Sequence, residues 1–129
     1  MNTADSTEPS VVALVRDLMF VSKITVAARA AGTSVKMVRA ASLLDAVGGR
    51  RLIVDLAEPN AIEAAVAWKQ RTGGEAVGFV AHVDELTIGR AAEAGIDRVV
   101  SRGTFSERVD GLVRLDTPLI PAPITDPQD

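Results

Sequence analysis

The sequence predicts an α/β domain in which a five-stranded parallel sheet is packed between two layers of helices, a three-layer αβα arrangement. Three observations predict it. Short, β-branched apolar runs, "VVALV" (11–15), "RLIVDL" (51–56), "AVGFVA" (76–81) and "DRVVS" (97–101), are bounded by turn residues, as buried parallel strands are. Capped, helix-forming stretches separate them. Strict alternation of the two forces crossover connections, right-handed in nearly all cases, which lay helices on both faces of a parallel sheet.

Each element follows in order. After the first strand, the Ala-rich stretch 18–31 closes at Gly32. "SVKMVRA" (34–40) is a weaker strand, because Val35, Met37 and Arg39 alternate imperfectly with Lys36 and Val38, and it belongs at an edge. Ser42 precedes "LLDAV", a helix that stops at Gly48-Gly49. The third strand ends on Asp55. Asn60 then opens "AIEAAVAWKQ", which stops before Gly73-Gly74, and Asp84 caps "ELTIGRAAEA" before Gly95. Last, "TFSE" (104–107) fits a capping box that opens a final helix through Leu115. No repeat at solenoid spacing is present.

Composition sets the bounds. A length of 129 residues with 47% apolar side chains is one domain with a real core. Residues 1–10 lack apolar periodicity, and 116–129 carry four of the six prolines. The expected organisation is therefore a disordered N-terminal tail (1–10), a folded domain (11–115) and a Pro-rich C-terminal tail (116–129). A net charge of -3, with scattered basic residues, argues against nucleic-acid and anionic-membrane partners. Without cysteine there is no disulfide frame, thiolate metal site or thiol nucleophile. The polar start is not a signal peptide, and no apolar run approaches the ~20 residues that span a bilayer. A cytoplasmic location is expected.

In such a sheet, chemistry collects at the carboxyl ends of the strands. There lie Arg16 and Asp17, Asp55, Ala81 and His82, and Ser101 and Arg102. Asp55 invites a chemical explanation, since a carboxylate finishing an apolar run is costly unless it meets water, a donor or a cation. "RD" (16–17), "DLAEP" (55–59) with its aspartate four residues before proline, "AH" (81–82) and "AGIDRVVSRGTF" (94–105) stand in an order that resembles the receiver domain of bacterial two-component response regulators, the CheY-like family, over residues 11–115. The resemblance implies a flavodoxin-like sheet of order 2-1-3-4-5. It also implies that Asp55 occupies the phosphoacceptor position, Asp17 is a remnant of the acidic pair that helps hold Mg²⁺, and Ala81-His82 fall at the switch position. Arg102 falls where the family has the Lys of its Lys-Pro-Phe stretch.

The departures from that family are chemical. Arg16 replaces its first acidic residue, Ala81 its hydroxyl, and Arg102 its lysine, followed by Gly103-Thr104 in place of proline; the loop after Pro59 is shorter. Phosphoryl transfer to a carboxylate needs a cation on the transferring oxygens, commonly Mg²⁺ held by carboxylates and water. Here the site cations Arg16 and Arg102 face Asp17 and Asp55, which gives local neutrality without metal. We expect Arg16 to form a bidentate pair with Asp55 in place of Mg²⁺. A methyl at Ala81 cannot hydrogen-bond a phosphoryl oxygen.

The expected function is a stand-alone receiver-like signalling module, not an enzyme, acting by protein–protein contact with degenerate or absent phosphorylation chemistry and no cofactor. The alternative is a functional single-domain response regulator phosphorylated on Asp55, with Mg²⁺ held by Asp17 and Asp55. A histidine kinase or a downstream regulator is the expected kind of partner. A homodimer is expected through a face that includes Ile88, Ala92, Val99, Val109 and Val113.

Simpler roles compete at each position. Asp55 can accept bonds from loop N–H groups, Asp17 can cap the first helix, and both arginines can face solvent. His82, the only histidine, is read as neither ligand nor switch, Glu58 as a solvated loop residue, and Trp68 as a packing residue. Leu18, Met19 and Phe20 cover most of one turn, so not all face the core; they cap the crevice or present a sticky patch. Nucleotide-binding glycine loops, a flavin phosphate loop, a cobalamin loop and a hydrolase nucleophile elbow are all lacking.

Overall fold

The computed structural model describes residues 9–81 and 84–115. Five parallel strands, β1 (Val11–Leu14), β2 (Val35–Val38), β3 (Arg51–Asp55), β4 (Glu75–Val80) and β5 (Arg98–Ser101), form one sheet of order β2-β1-β3-β4-β5. Helices α1 (Leu18–Ala31), α2 (Ala61–Thr72), α3 (Glu85–Ala94) and α4 (Arg102–Leu112) cover it, with a 3-10 helix (Ala41–Ala46) between β2 and β3. The predicted class and strand order are the observed ones.

Successive strand residues point to opposite faces, and that period of two divides the core. Val11, Ala13, Val15, Ile53, Val77 and Phe79 pack with α1 and α4 on one face. Val12, Leu14, Leu52, Val54, Ala76 and Val80 pack with α2, α3 and the 3-10 helix on the other. Parity with Ile53 places Arg51 and Asp55, at the two ends of β3, on the α1/α4 face. The edge assignment of β2 holds, since only Val38 of that strand is buried.

Local chemistry ends the helices. Asp17 caps α1 by accepting from the Met19 N–H at 2.9 Å, and Gly32, at φ 70°, closes it with its N–H on the Ala28 and Arg29 carbonyls. Asp84 caps α3 through the Thr87 N–H. Asn60 precedes α2 as expected, yet its side chain makes no capping bond and its backbone is left-handed (φ 61°).

Three expectations change. The "LLDAV" helix is a six-residue 3-10 helix, too short for α-helical cooperativity, whose last carbonyls are met from α2: Arg71 donates to Leu44 and Val47, and Trp68 Nε1 to Val47 at 3.0 Å. The last helix begins at Arg102, not in the Thr104 box. Ser101 is its cap, with Oγ accepting the Thr104 N–H at 3.1 Å, so Thr104 already lies in the first turn. Ser10, placed in the N-terminal tail, accepts from the N–H groups of Arg50 (2.9 Å) and Arg51 (3.2 Å) and donates its own to Ser34 Oγ. Residues 1–8 and the whole 116–129 tail lie outside the described residues.

The apolar face expected for a homodimer is largely used inside the molecule. Val109 and Val113 are core, Ile88 and Val99 are half-buried against the opposite core, and Ala92 alone of the five is exposed. No helix among the described residues is long and apolar enough to cross a membrane.

Arg51 was not foreseen. It is 1% exposed at the amino end of β3. Its Nη1 donates to the carbonyls of Leu112 (3.0 Å) and Arg114 (3.1 Å) at the end of α4, while Nε and Nη2 grip Glu75 Oε1 at 3.2 and 2.8 Å. A helix end leaves carbonyls without intrahelical partners, and Arg51 supplies donors to them.

Candidate functional site

At the carboxyl end of the sheet, three residues predicted from sequence come together. Asp55 ends β3 nearly buried, 5% exposed, with Oδ1 accepting the Ala57 N–H at 3.0 Å. Its Oδ2 lies 3.7 Å from Nη1 of Arg102. Asp17 offers Oδ1 to the Met19 N–H and Oδ2 to Nη2 of Arg102 at 3.0 Å. One guanidinium therefore spans both acids. Arg102 reaches this position because the Ser101 cap ends β5 and makes it the first residue of α4.

An aromatic floor supports the guanidinium. Arg102 Cζ lies 4.6 Å above the centre of the Phe20 ring and 5.8 Å from that of Phe79. Phe20, Phe79 and Phe105 form one cluster, with centroid separations of 5.0, 5.6 and 4.4 Å. A guanidinium is drawn to the face of such rings as well as to carboxylates. The "LMF" turn is thereby resolved: Phe20 is the floor, 3% exposed, whereas Leu18 (77%) and Met19 (57%) remain in solvent.

The expected pair of Arg16 with Asp55 does not form. Arg16 Nη1 lies 3.9 Å from Glu58 Oε1, and its side chain is 59% exposed. Strand parity is the reason: Val11, Ala13 and Val15 face α1 and α4, so the next residue emerges on the α2 side, away from Asp55. Glu58, read as a solvated loop residue, is the partner of Arg16. Ala81 is exposed beyond β4 and its carbonyl accepts the Asp84 N–H at 3.0 Å. His82, the other half of the expected switch position, lies outside the described residues. The Phe20–Phe79 floor escaped sequence reasoning, although the odd-numbered parity of β4 would have put Phe79 below Asp55.

Arg102 already pairs with both carboxylates that a divalent ion would need. Mg²⁺ takes octahedral oxygen coordination, mostly water with one or two carboxylates. Both Oδ1 atoms accept from backbone N–H groups and both Oδ2 atoms face the Arg102 guanidinium. Among the described residues there is no group of three or more His, Cys, Asp or Glu side chains able to hold a metal.

Asp17 serves helix and site at once, and substitution separates the two. Asp17→Ala is expected to lose about 1–2 kcal/mol of stability, the range for an N-cap lost together with a half-exposed ion pair. Asp17→Asn keeps a cap and is expected to lose under about 1 kcal/mol. Urea unfolding checks both; equal losses would mean that the cap contributes nothing.

No protein-family model matches the sequence, and comparison with curated proteins gives no match. Solved structures do match in fold. The phosphorylated cyanobacterial phytochrome response regulator RcpA superposes with a TM-score of 0.70 at 14% identity, covering 89% of this chain and 99% of that one. The BeF3-activated receiver domain of DrrB, a Thermotoga maritima OmpR/PhoB homolog, gives 0.68 at 16% identity, over 80% and 92%. A Burkholderia pseudomallei response regulator, solved with a phosphorylated aspartic acid, a calcium ion and citrate, gives 0.67 at 12% identity, over 85% and 69%. Identities this low speak for the fold alone. With its sheet order, its helix layers and these neighbours, the chain has the CheY-like receiver fold of response regulators.

Proposed function

We propose that this chain is a receiver-like signalling module that acts by contact with a protein partner, and that its Asp55 is withdrawn from phosphoryl chemistry. The observation that carries this reading is the Arg102 guanidinium held between Asp17 and Asp55 over Phe20. A carboxylate nucleophile must present a free oxygen to phosphorus while a cation neutralises the transferring oxygens. Here the cation is committed to the nucleophile and its acidic neighbour, and each oxygen of Asp55 already faces a positive or N–H group. Ala81 supplies no hydroxyl to report a phosphoryl group. The module is accordingly read as a non-enzymatic, cytoplasmic protein without a resident metal, its partner being a histidine kinase or a downstream regulator. A homodimer remains part of the proposal, with the exposed Ala92 and the half-buried Ile88 and Val99 as its apolar members.

A second reading, phosphorylation of Asp55 with Mg²⁺ held by Asp17 and Asp55, is favoured by one feature. Arg102 approaches Asp55 only to 3.7 Å, an ion pair without a hydrogen bond, so releasing it sacrifices little on that side. Intact-protein mass measurement after incubation with Mg²⁺ and a small acyl phosphate separates the two readings. The first expects unmodified protein; the second expects a phosphoryl adduct that is lost in Asp55→Asn.

A further inference from the structure

Also at the carboxyl end of the sheet, and lined in part by the turn after β3, lies a cleft of about 260 Å³. Arg16, Arg39, Ser42, Glu58 and Asn60 supply its polar lining. We infer that this cleft binds a small oxyanion, a phosphate or carboxylate group, through Arg16 and Arg39.

The topology brings the two arginines together. Leu14 and Val38 are register partners at the ends of the adjacent parallel strands β1 and β2, so Arg16 and Arg39 leave neighbouring carboxyl ends within one residue of each other. Like charges placed side by side repel unless something neutral or negative lies between them. The protein offers one carboxylate, Glu58, and only to Arg16, at 3.9 Å. Among the described residues, the Arg39 side chain has no ion pair. Two guanidinia against one carboxylate leave a positive cleft, in contrast to the net -3 of the chain.

The remaining lining suits the same chemistry. Asn60 is the one non-glycine residue with positive φ among those described, and its carboxamide caps nothing. Asn60 and the Ser42 hydroxyl can donate to an oxygen that the arginine forks grip. The volume lies just below the ~300–1,000 Å³ of ordinary ligand pockets, which selects a phosphate or a short carboxylate over a nucleotide. The cleft also lies at the carboxyl end of the sheet, the end at which open α/β sheets take ligands. Occupancy has a route to the Asp55 crevice, because the Glu58 N–H closes the turn on the Asp55 carbonyl at 3.1 Å. The inference rests on neither reading of Asp55.

The test is a titration of the ¹⁵N-labelled chain with inorganic phosphate and, separately, with succinate, against sodium chloride at matched ionic strength. Saturable shifts confined to the amides of 39–42, 58, 60 and 61 are expected, with affinity reduced about tenfold in Arg39→Ala and in Arg16→Ala, the worth of one charge-assisted contact. Arg39→Lys keeps the charge and loses the fork; it is expected to fall between Arg39→Ala and the parent chain. Whichever anion saturates first assigns phosphate or carboxylate as the preferred group. The inference is overturned if chloride reproduces the shifts, if neither anion saturates, or if the arginine variants, shown folded by circular dichroism, bind as the parent does.

Discussion

Phe79→Ala should lower the unfolding free energy by about 4–5 kcal/mol. Phe79 is fully buried in the middle of the sheet, stacked 4.4 Å from Phe105 and tilted 5.0 Å from Phe20. Truncating a core phenylalanine costs about 3–5 kcal/mol, and aromatic pairs add about 0.5–1.5 kcal/mol beyond their buried area. The site should respond as well, because the Arg102 guanidinium lies above this cluster and would lose part of its floor. Against a total stability of about 5–15 kcal/mol, this one side chain approaches the threshold of folding. Phe79→Leu retains most of the volume and should lose about half as much. Urea unfolding measures both; a loss below about 1.5 kcal/mol for alanine would mean that the cluster is not the keystone of this face.

Arg51→Ala ranks second, at about 3 kcal/mol. The loss has two parts. Removing the guanidinium leaves the buried Leu112 carbonyl without its donor, which costs about 1–3 kcal/mol, and the packed aliphatic stem is lost with it. Glu75 is 44% exposed, so its carboxylate regains water and adds little. Arg51→Lys should recover only part of the loss, because a single ammonium cannot serve Glu75 and two carbonyls in the fork geometry of arginine. For a domain of this size the alanine variant should melt roughly 12 °C lower, at about 4 °C per kcal/mol. A lysine variant as stable as the parent would show that charge alone matters there.

These two positions explain how α4 is held. Its first residue, Arg102, is tied to Asp17 and Asp55, and its last carbonyls are tied to Arg51. Arg51 and Asp55 stand at opposite ends of β3 on one face, so the same strand anchors both ends of the helix.

Much of this was legible in the sequence. Strand positions followed from β-branched runs, and the caps at Asp17, Asp84, Gly32 and Gly95 followed from local backbone chemistry that needs no tertiary partner. The convergence of Asp17, Asp55 and Arg102 followed from strand order. What escaped depends on faces. "VVALV" is apolar on both sides, so its pattern does not announce that residue 16 exits toward α2, where Arg16 meets Glu58 and not Asp55. Ser101 and Thr104 are both hydroxyl caps in sequence, and the choice between them falls where Arg102 can reach two carboxylates. Arg51 reads as the polar flank of a strand; besides Glu75 on the adjacent strand, its partners lie at the end of α4, 61 residues away for Leu112, where no local pattern points.

The most direct measurement is a high-resolution crystal structure of the chain grown in millimolar Mg²⁺. Density for the Arg102 side chain between the carboxylates of Asp17 and Asp55, with no metal there, is the predicted result. A hydrated ion about 2.1 Å from oxygens of both acids, with Arg102 turned out to solvent, would contradict the account.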